Sequence, residues 1–250
     1  VSALVLALTA GALVGLALGA LGGGGSVLAV PALIYLLGFT PAAATTAGLI
    51  IVTATSLTAL YAHARTGTVR WKAGALFAAA GLLPAAAAGA AASRLPQPVL
   101  TAAFAAVAGL AAVAMLRPSR AATGPVSGGA RPARAVGTGA GLGALTGLLG
   151  VGGGFLVVPA LVTVLAFEMQ AAVGTSLLVI SANSLASLAT RGATTAGIDW
   201  AVIGPFTGAA ILGAWDGKRL AAKVTGTLLQ RTFAVLLLAV AAFMLVDAFT

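Results

Sequence analysis

The chain has 250 residues, 60% of them hydrophobic and only 7% charged, with a mean hydropathy of +1.13. An ordinary soluble domain carries about 25% charged residues, so the solvent implied here is lipid. Zero cysteines and a single histidine exclude disulfides, thiolate chemistry and multi-histidine metal sites. The formal charge of +9 sits in short gaps between apolar runs, so it reads as a topology signal rather than as a nucleic-acid face.

A membrane-crossing helix needs about 20 mostly apolar residues. The first apolar stretch, Ala3 to Phe39, is too long for one crossing and is interrupted by Gly22-Gly23-Gly24-Gly25. Ala42–Ala62, Ala73–Ala92 and Val99–Leu116 follow. Arg117–Arg134 holds four arginines among Pro, Gly and Ser, and reads as a linker. The pattern then restarts with Val136–Phe167, broken at Gly152-Gly153-Gly154, and continues through Ala171–Ala189, Ala201–Trp215 and Leu228–Phe249. Read alone, the first run could be a cleaved signal peptide; a second copy in mid-chain argues against it.

That copy is the most informative feature. A shift of 128 residues places Gly11, Gly15, Gly19 and Gly22 on Gly139, Gly143, Gly147 and Gly150, and Val30-Pro31-Ala32-Leu33 on Val158-Pro159-Ala160-Leu161. Between residues 11 and 39 there are 15 identities in 29 positions. The expected organisation is a first transmembrane repeat over 1–116, a cytoplasmic linker over 117–135 and a second repeat over 136–250. Internal repeats with interrupted segments at matching places are a transporter pattern.

Charge decides how the repeats face. If each broken segment crosses once, the halves are parallel and the 13 basic residues divide eight inside, five outside. If each enters and returns as a hairpin, only Arg94 and Arg191 remain outside, and the division is eleven to two. The expected fold is therefore an all-α polytopic membrane protein of two inverted repeats. Each is a glycine-broken helical hairpin plus three transmembrane helices. Arg117–Arg134 and Lys218–Lys223 would be cytoplasmic and both termini outside.

Inversion brings the two breaks toward each other at membrane depth, where non-helical backbone must be buried or line a wet cavity. Helices starting near Ser26 and Phe155 would aim their N-termini at one gap. Each such end carries about half a positive charge, and consecutive glycine N–H groups form an oxyanion nest. Gly23, Gly24, Gly25, Ser26, Gly152, Gly153 and Gly154 are thus expected to line a substrate-binding site. The alternative for them is a strained turn without a ligand. Gly11, Gly15 and Gly19, with Gly139, Gly143 and Gly147, are instead expected to pack helix on helix.

Thr53 and Ser56 share one helix face, and Ser181 and Ser184 repeat them with Asn183 alongside. These five are candidate substrate contacts, against the simpler role of bonding their own i−4 carbonyls. Thr45, Thr46, Thr175 and Ser176 are expected as caps, His63 as a solvated interfacial residue with a proton relay as the alternative, and Trp71 and Trp200 as interface anchors. Glu168, Asp199, Asp216 and Asp247 all fall in loops or near helix ends. No paired carboxylates, Ser with a nearby His base, or HExxH occur, so no enzyme, metal or cofactor is expected.

The run GALVGLALGALGGGGSVLAVPALIYLLG, repeated as GAGLGALTGLLGVGGGFLVVPALVTVLA, resembles the TauE/SafE family of sulfite and organosulfonate exporters. The GxxxGxxGxGGGxxxxPxL pattern in both halves carries the resemblance, with Gly25-Ser26 in the first half standing where the second has Gly153-Gly154. The resemblance implies a multi-pass protein of the bacterial inner membrane that carries small sulfur-containing anions. Its partners would be that anion and the lipid bilayer, not nucleic acid. An anion channel, or a carrier of another small organic anion such as a carboxylate, is the alternative.

Overall fold

The structure is a computed structural model and describes residues 2–92, 97–116, 132–149, 154–191 and 199–249. Most of the expected linker, and Gly152 and Gly153, lie outside the described residues. The described residues form ten α-helices and no strand. The first half supplies α1 (Ser2–Leu21), α2 (Gly24–Pro31), α3 (Pro41–Ala64), α4 (Trp71–Ala92) and α5 (Gln97–Leu116). The second supplies α6 (Pro132–Leu149), α7 (Gly154–Thr163), α8 (Met169–Arg191), α9 (Trp200–Lys223) and α10 (Gly226–Phe249).

Five helical segments are long and apolar enough to cross a membrane: Ala3–Leu21, Ala43–Ala64, Trp71–Ala88, Met169–Ala189 and Gly226–Phe243. Helix α9 is longer still, but Pro205, four glycines and Asp216 dilute its hydropathy. It also runs eight residues past the expected end at Trp215, through polar sequence up to Lys223. Asp199 caps α9, its carboxylate accepting from the Ala201 N–H at 3.0 Å. Thr40 caps α3, with Pro41 in the first turn where its missing N–H is harmless. Trp71 and Trp200 open α4 and α9 and are exposed, as interface anchors should be.

Both broken segments exit through the same turn. Gly38 takes φ +70° and Ala166, its repeat position, takes φ 52°. The Phe39 N–H donates to the Leu33 carbonyl at 3.0 Å, and the Phe167 N–H to the Leu161 carbonyl at 2.9 Å. The first segment differs by a π-helical turn over Ala32–Leu36, directly after Pro31.

Five of the six expected packing glycines pack; the surroundings of Gly147 lie outside what the structure describes. A Cβ at Gly11, Gly15 or Gly19 would fall on the backbone of Phe206, Ala210 or Ala214 in α9. Gly139 and Gly143 meet Phe77 and Gly81 of α4 in the same way. In both pairs the residue numbers rise together, so α1 runs parallel to α9 and α6 parallel to α4. These are the two largest helix interfaces, and each joins opposite halves of the chain. Small residues let backbones touch, and dispersion over that contact drives association in lipid.

The other contacts fix the remaining directions. The Nζ of Lys218, late in α9, donates to the Ala62 carbonyl late in α3 at 2.8 Å. The Arg70 N–H donates to Thr175 Oγ1 at 3.1 Å, which seats the α3–α4 loop on the first turns of α8. Gln230 at the start of α10 donates to the Met115 carbonyl at the end of α5, at 2.6 Å. Helices α1, α3, α5 and α9 therefore end on the face where α4, α8 and α10 begin.

Candidate functional site

The helices that follow the two breaks meet at their starts. Gly22 ends α1 at φ +69°, its N–H donating to the Leu18 carbonyl at 2.8 Å. Gly23 follows as the buried N-cap of α2, whose first turn has no side-chain cap. A Cβ at Gly23 would collide with the backbone of Gly154 and Phe155, the first residues of α7. The starts of α2 and α7 are thus in backbone contact, and each is the positive end of a helix. Gly24 is the first residue of α2 and Ser26 its third. Gly25 folds against Leu18, which turns α2 back along α1 as a hairpin. Gly154 is buried at the head of α7.

Two like partial charges in contact repel, most strongly in low-dielectric surroundings. Glu168, Asp199 and Asp216 are all exposed and distant in the chain from the junction. Asp216 instead pairs with Arg219 at 3.3 Å on the surface. No acidic side chain lies in any of the helices that form the two breaks. The electrostatics of the junction suit a mobile anion.

The hydroxyl candidates divide. Ser181 Oγ donates to Ser56 Oγ at 2.9 Å across the α3–α8 crossing, and lies 2.8 Å from the Leu177 carbonyl. The structure brings these two together. Thr53 Oγ1 donates to the Leu49 carbonyl at 2.6 Å, the i−4 bond expected of a hydroxyl with no other task. Ser184 is buried. Asn183 Oδ1 is buried with no hydrogen-bond partner among the described residues, an expensive arrangement for a carbonyl acceptor at depth.

A family model described as Sulfite exporter TauE/SafE matches residues 7–244. The chain belongs to the TauE/SafE sulfite exporter family. Two curated relatives, each named "Probable membrane transporter protein", come from Xylella fastidiosa. That of strain 9a5c is 32% identical over 257 residues, covering 98% of this chain and 96% of the relative. That of strain Temecula1 / ATCC 700964 is 30% identical over 253 residues, with the same coverage. No solved structure matches. The protein is a multi-pass membrane transporter with bacterial relatives.

Several residues of this TauE/SafE transporter have roles the sequence did not suggest. Thr175 and Ser176 lie in the second turn of α8, which begins at Met169, so they do not cap it. Thr175 instead accepts from the Arg70 N–H of the preceding loop. Ser176, fully buried, donates to the Val173 carbonyl at 2.7 Å, and its Oγ is the nearest atom to the open side of Gly22. Thr45 and Thr46 follow a helix start already capped by Thr40.

His63 is the largest correction. It ends its helix as expected, yet it is buried rather than solvated. Its Nδ1 lies 3.1 Å from Thr68 Oγ1 and its Nε2 3.4 Å from the Gly19 carbonyl of α1. The nearby Thr68 and the distant Gly19 of α1 hold the ring, and position at a helix end gave no sign of the second.

Proposed function

We propose that this transporter carries small sulfur-containing anions, such as sulfite or organosulfonates, out of the cell by alternating access. The substrate binds where α2 and α7 begin, held by backbone N–H groups around Gly23–Ser26 and Gly152–Gly154. Thr53, Ser56, Ser181, Asn183 and Ser184 complete the site from α3 and α8. One observation carries the reading: Gly23 rests on the backbone of Gly154, so two positive helix ends share a buried spot, and the helices that form it carry no acidic side chain. An anion between them offsets their repulsion, and its departure restores the repulsion. That differential is what a carrier needs to pass between states.

The helix directions support inverted repeats. Helices related by the 128-residue shift, such as α1 and α6 or α3 and α8, run opposite ways. Arg65, Arg70, Lys72, Lys218, Arg219 and Lys223 gather at the face where α3 and α9 end, which positive-inside placement makes cytoplasmic. Cysteines at Thr66 and Thr195 test this on the cysteine-free background: Thr66 should react only from the cytoplasm, Thr195 only from outside. The reverse pattern would refute the orientation.

The site is tested by sulfite titration of purified Ser26→Asp and Ser26→Asn, which differ in charge at nearly equal size. The aspartate should bind sulfite about tenfold more weakly or worse, as one repelled charge at a few ångströms requires. Equal affinities would remove Ser26 from the site. Counterflow of labelled sulfite in liposomes marks a carrier, whereas a steady conductance would mark a channel.

A further inference from the structure

His63 is built to exist in two protonation states. A carbonyl only accepts, so the Nε2 facing the Gly19 carbonyl carries a hydrogen. Thr68 Oγ1 lies 3.1 Å from Nδ1 and also 3.1 Å from the carbonyl of His63 itself. Its one hydroxyl hydrogen serves either. In the neutral ring the hydroxyl donates to Nδ1. In the imidazolium, Nδ1–H donates to Oγ1 and the hydroxyl turns to the His63 carbonyl. Every polar atom keeps a partner in both states. A histidine held only for structure meets one state and loses a bond in the other.

The charged neighbours are few. Lys218, from α9, donates to the Ala62 carbonyl beside the ring and opposes a second positive charge there. Helices α1 and α2 bring no charged side chain. Arg65 turns away, its guanidinium 5.8 Å over the ring of Tyr61. Helix α8 touches Thr68 through Gly174, and Glu168 before it is exposed. The carbonyl ends of α1 and α3 favour the cation. Thr66 and Gly67 are exposed in the loop that carries Thr68, so water reaches the site's door.

We propose that His63 is a second ligand site of this transporter, one for a proton, and that its charge sets how firmly the first hairpin is docked. The link is short: Gly19 precedes the Gly22 turn by three residues, and Gly23 beyond it touches Gly154. Protonation makes the Nε2–H bond to Gly19 charge-assisted, which strengthens it, and loosens Lys218 on Ala62 by repulsion. The hold on the end of α3 passes from α9 to α1. The 128-residue shift places Arg191, a permanent cation, at the position of His63, so only one half carries a titratable group there. The use of this proton in a transport cycle rests on the function proposed above; the proton site does not.

Because the chain has one histidine, selective 15N-histidine labelling gives a single imidazole by NMR. The ring should titrate once in the folded protein, with Nε2 protonated and Nδ1 bare above the midpoint. Thr68→Val should lower the midpoint by about half a pH unit, a threefold loss of proton affinity, because the cation loses the stronger bond. Hydrogen exchange of Gly19–Gly25, corrected for its intrinsic pH dependence, should be slower below the midpoint than above it in the wild type. It should be alike at both in His63→Gln, whose amide makes both bonds but takes no proton. A ring that does not titrate in the folded protein overturns the proposal, as does hairpin exchange indifferent to the ring's charge. Neither measurement uses a substrate, so a missing sulfite counterflow would remove the transport reading and leave this one standing.

Discussion

Helices α2 and α7 come from the same repeated stretch and share the Val-Pro-Ala-Leu run, yet they occupy different surroundings. Every residue of α7 from Gly154 to Val162 is buried, among side chains of α5, α8 and α10. In the first hairpin beyond Gly25, among the residues whose burial is described, only Ala29 and Leu33 are deeply buried, while Tyr35 and Leu36 are exposed. Its return limb lies at the edge of the molecule, where Tyr35 meets Phe243 edge to face at 5.3 Å. One hairpin is embedded and the other is laid on. Similar local sequence therefore permits two degrees of burial, and the partners decide between them. The hairpin at the edge is also the one whose tip reaches His63.

The largest expected effect falls on the shared feature of the two halves. Gly15→Leu and Gly143→Leu each drive a side chain into a facing backbone, and folded protein should be lost from size-exclusion profiles. Gly208→Ala is the contrast: its side is open, and thermal unfolding in detergent should show no loss, or a gain of up to about 1 kcal/mol. The next pair separates the hairpins. Phe155→Ala, at a fully buried site, should cost on the order of 3 kcal/mol from the cavity it leaves. Tyr35→Ala should cost about 1 kcal/mol or less, the worth of one aromatic pair. Equal losses would erase the distinction between embedded and laid-on limbs.

A smaller effect tests the crossing of α3 and α8. Ser56→Ala and Ser181→Ala should each cost about 1 kcal/mol. Their double-mutant cycle should show a coupling near 0.6 kcal/mol, typical of hydrogen bonds between membrane helices. Zero coupling would mean that the two hydroxyls prefer their own helix carbonyls. The smallest effect exchanges the residues of the two exit turns. Ala166→Gly should stabilise by up to about 1 kcal/mol, because a left-handed φ suits glycine. Gly38→Ala, with open space but φ +70°, should lose a similar amount.

The break at Gly22-Gly23 and the packing role of Gly11, Gly15, Gly19, Gly139 and Gly143 were legible because each rests on spacing along one segment. Spacing survives folding. The contact of Gly23 with Gly154, the seating of Thr175 on the Arg70 N–H and the burial of His63 depend on segments more than 40 residues apart. No local pattern encodes such meetings. The continuation of α9 beyond Trp215 was hidden for another reason: Asp216, Lys218 and Arg219 read as the end of a crossing. In the structure that polar turn stays helical, because Lys218 finds the Ala62 carbonyl and Asp216 finds Arg219.

The pairing of α1 with α9 bears on how the protein is made. Gly11 and the Phe206 it packs against are separated by 195 positions in the chain. At a synthesis rate of about 5–20 residues per second, α1 waits on the order of 10–40 s before its partner leaves the ribosome. Through that interval the row Gly11, Gly15, Gly19 faces lipid or an insertion factor, a groove shaped for another helix. The first half, expressed alone, should therefore be a substrate for membrane quality control, and supplying the second half as a separate chain should rescue it.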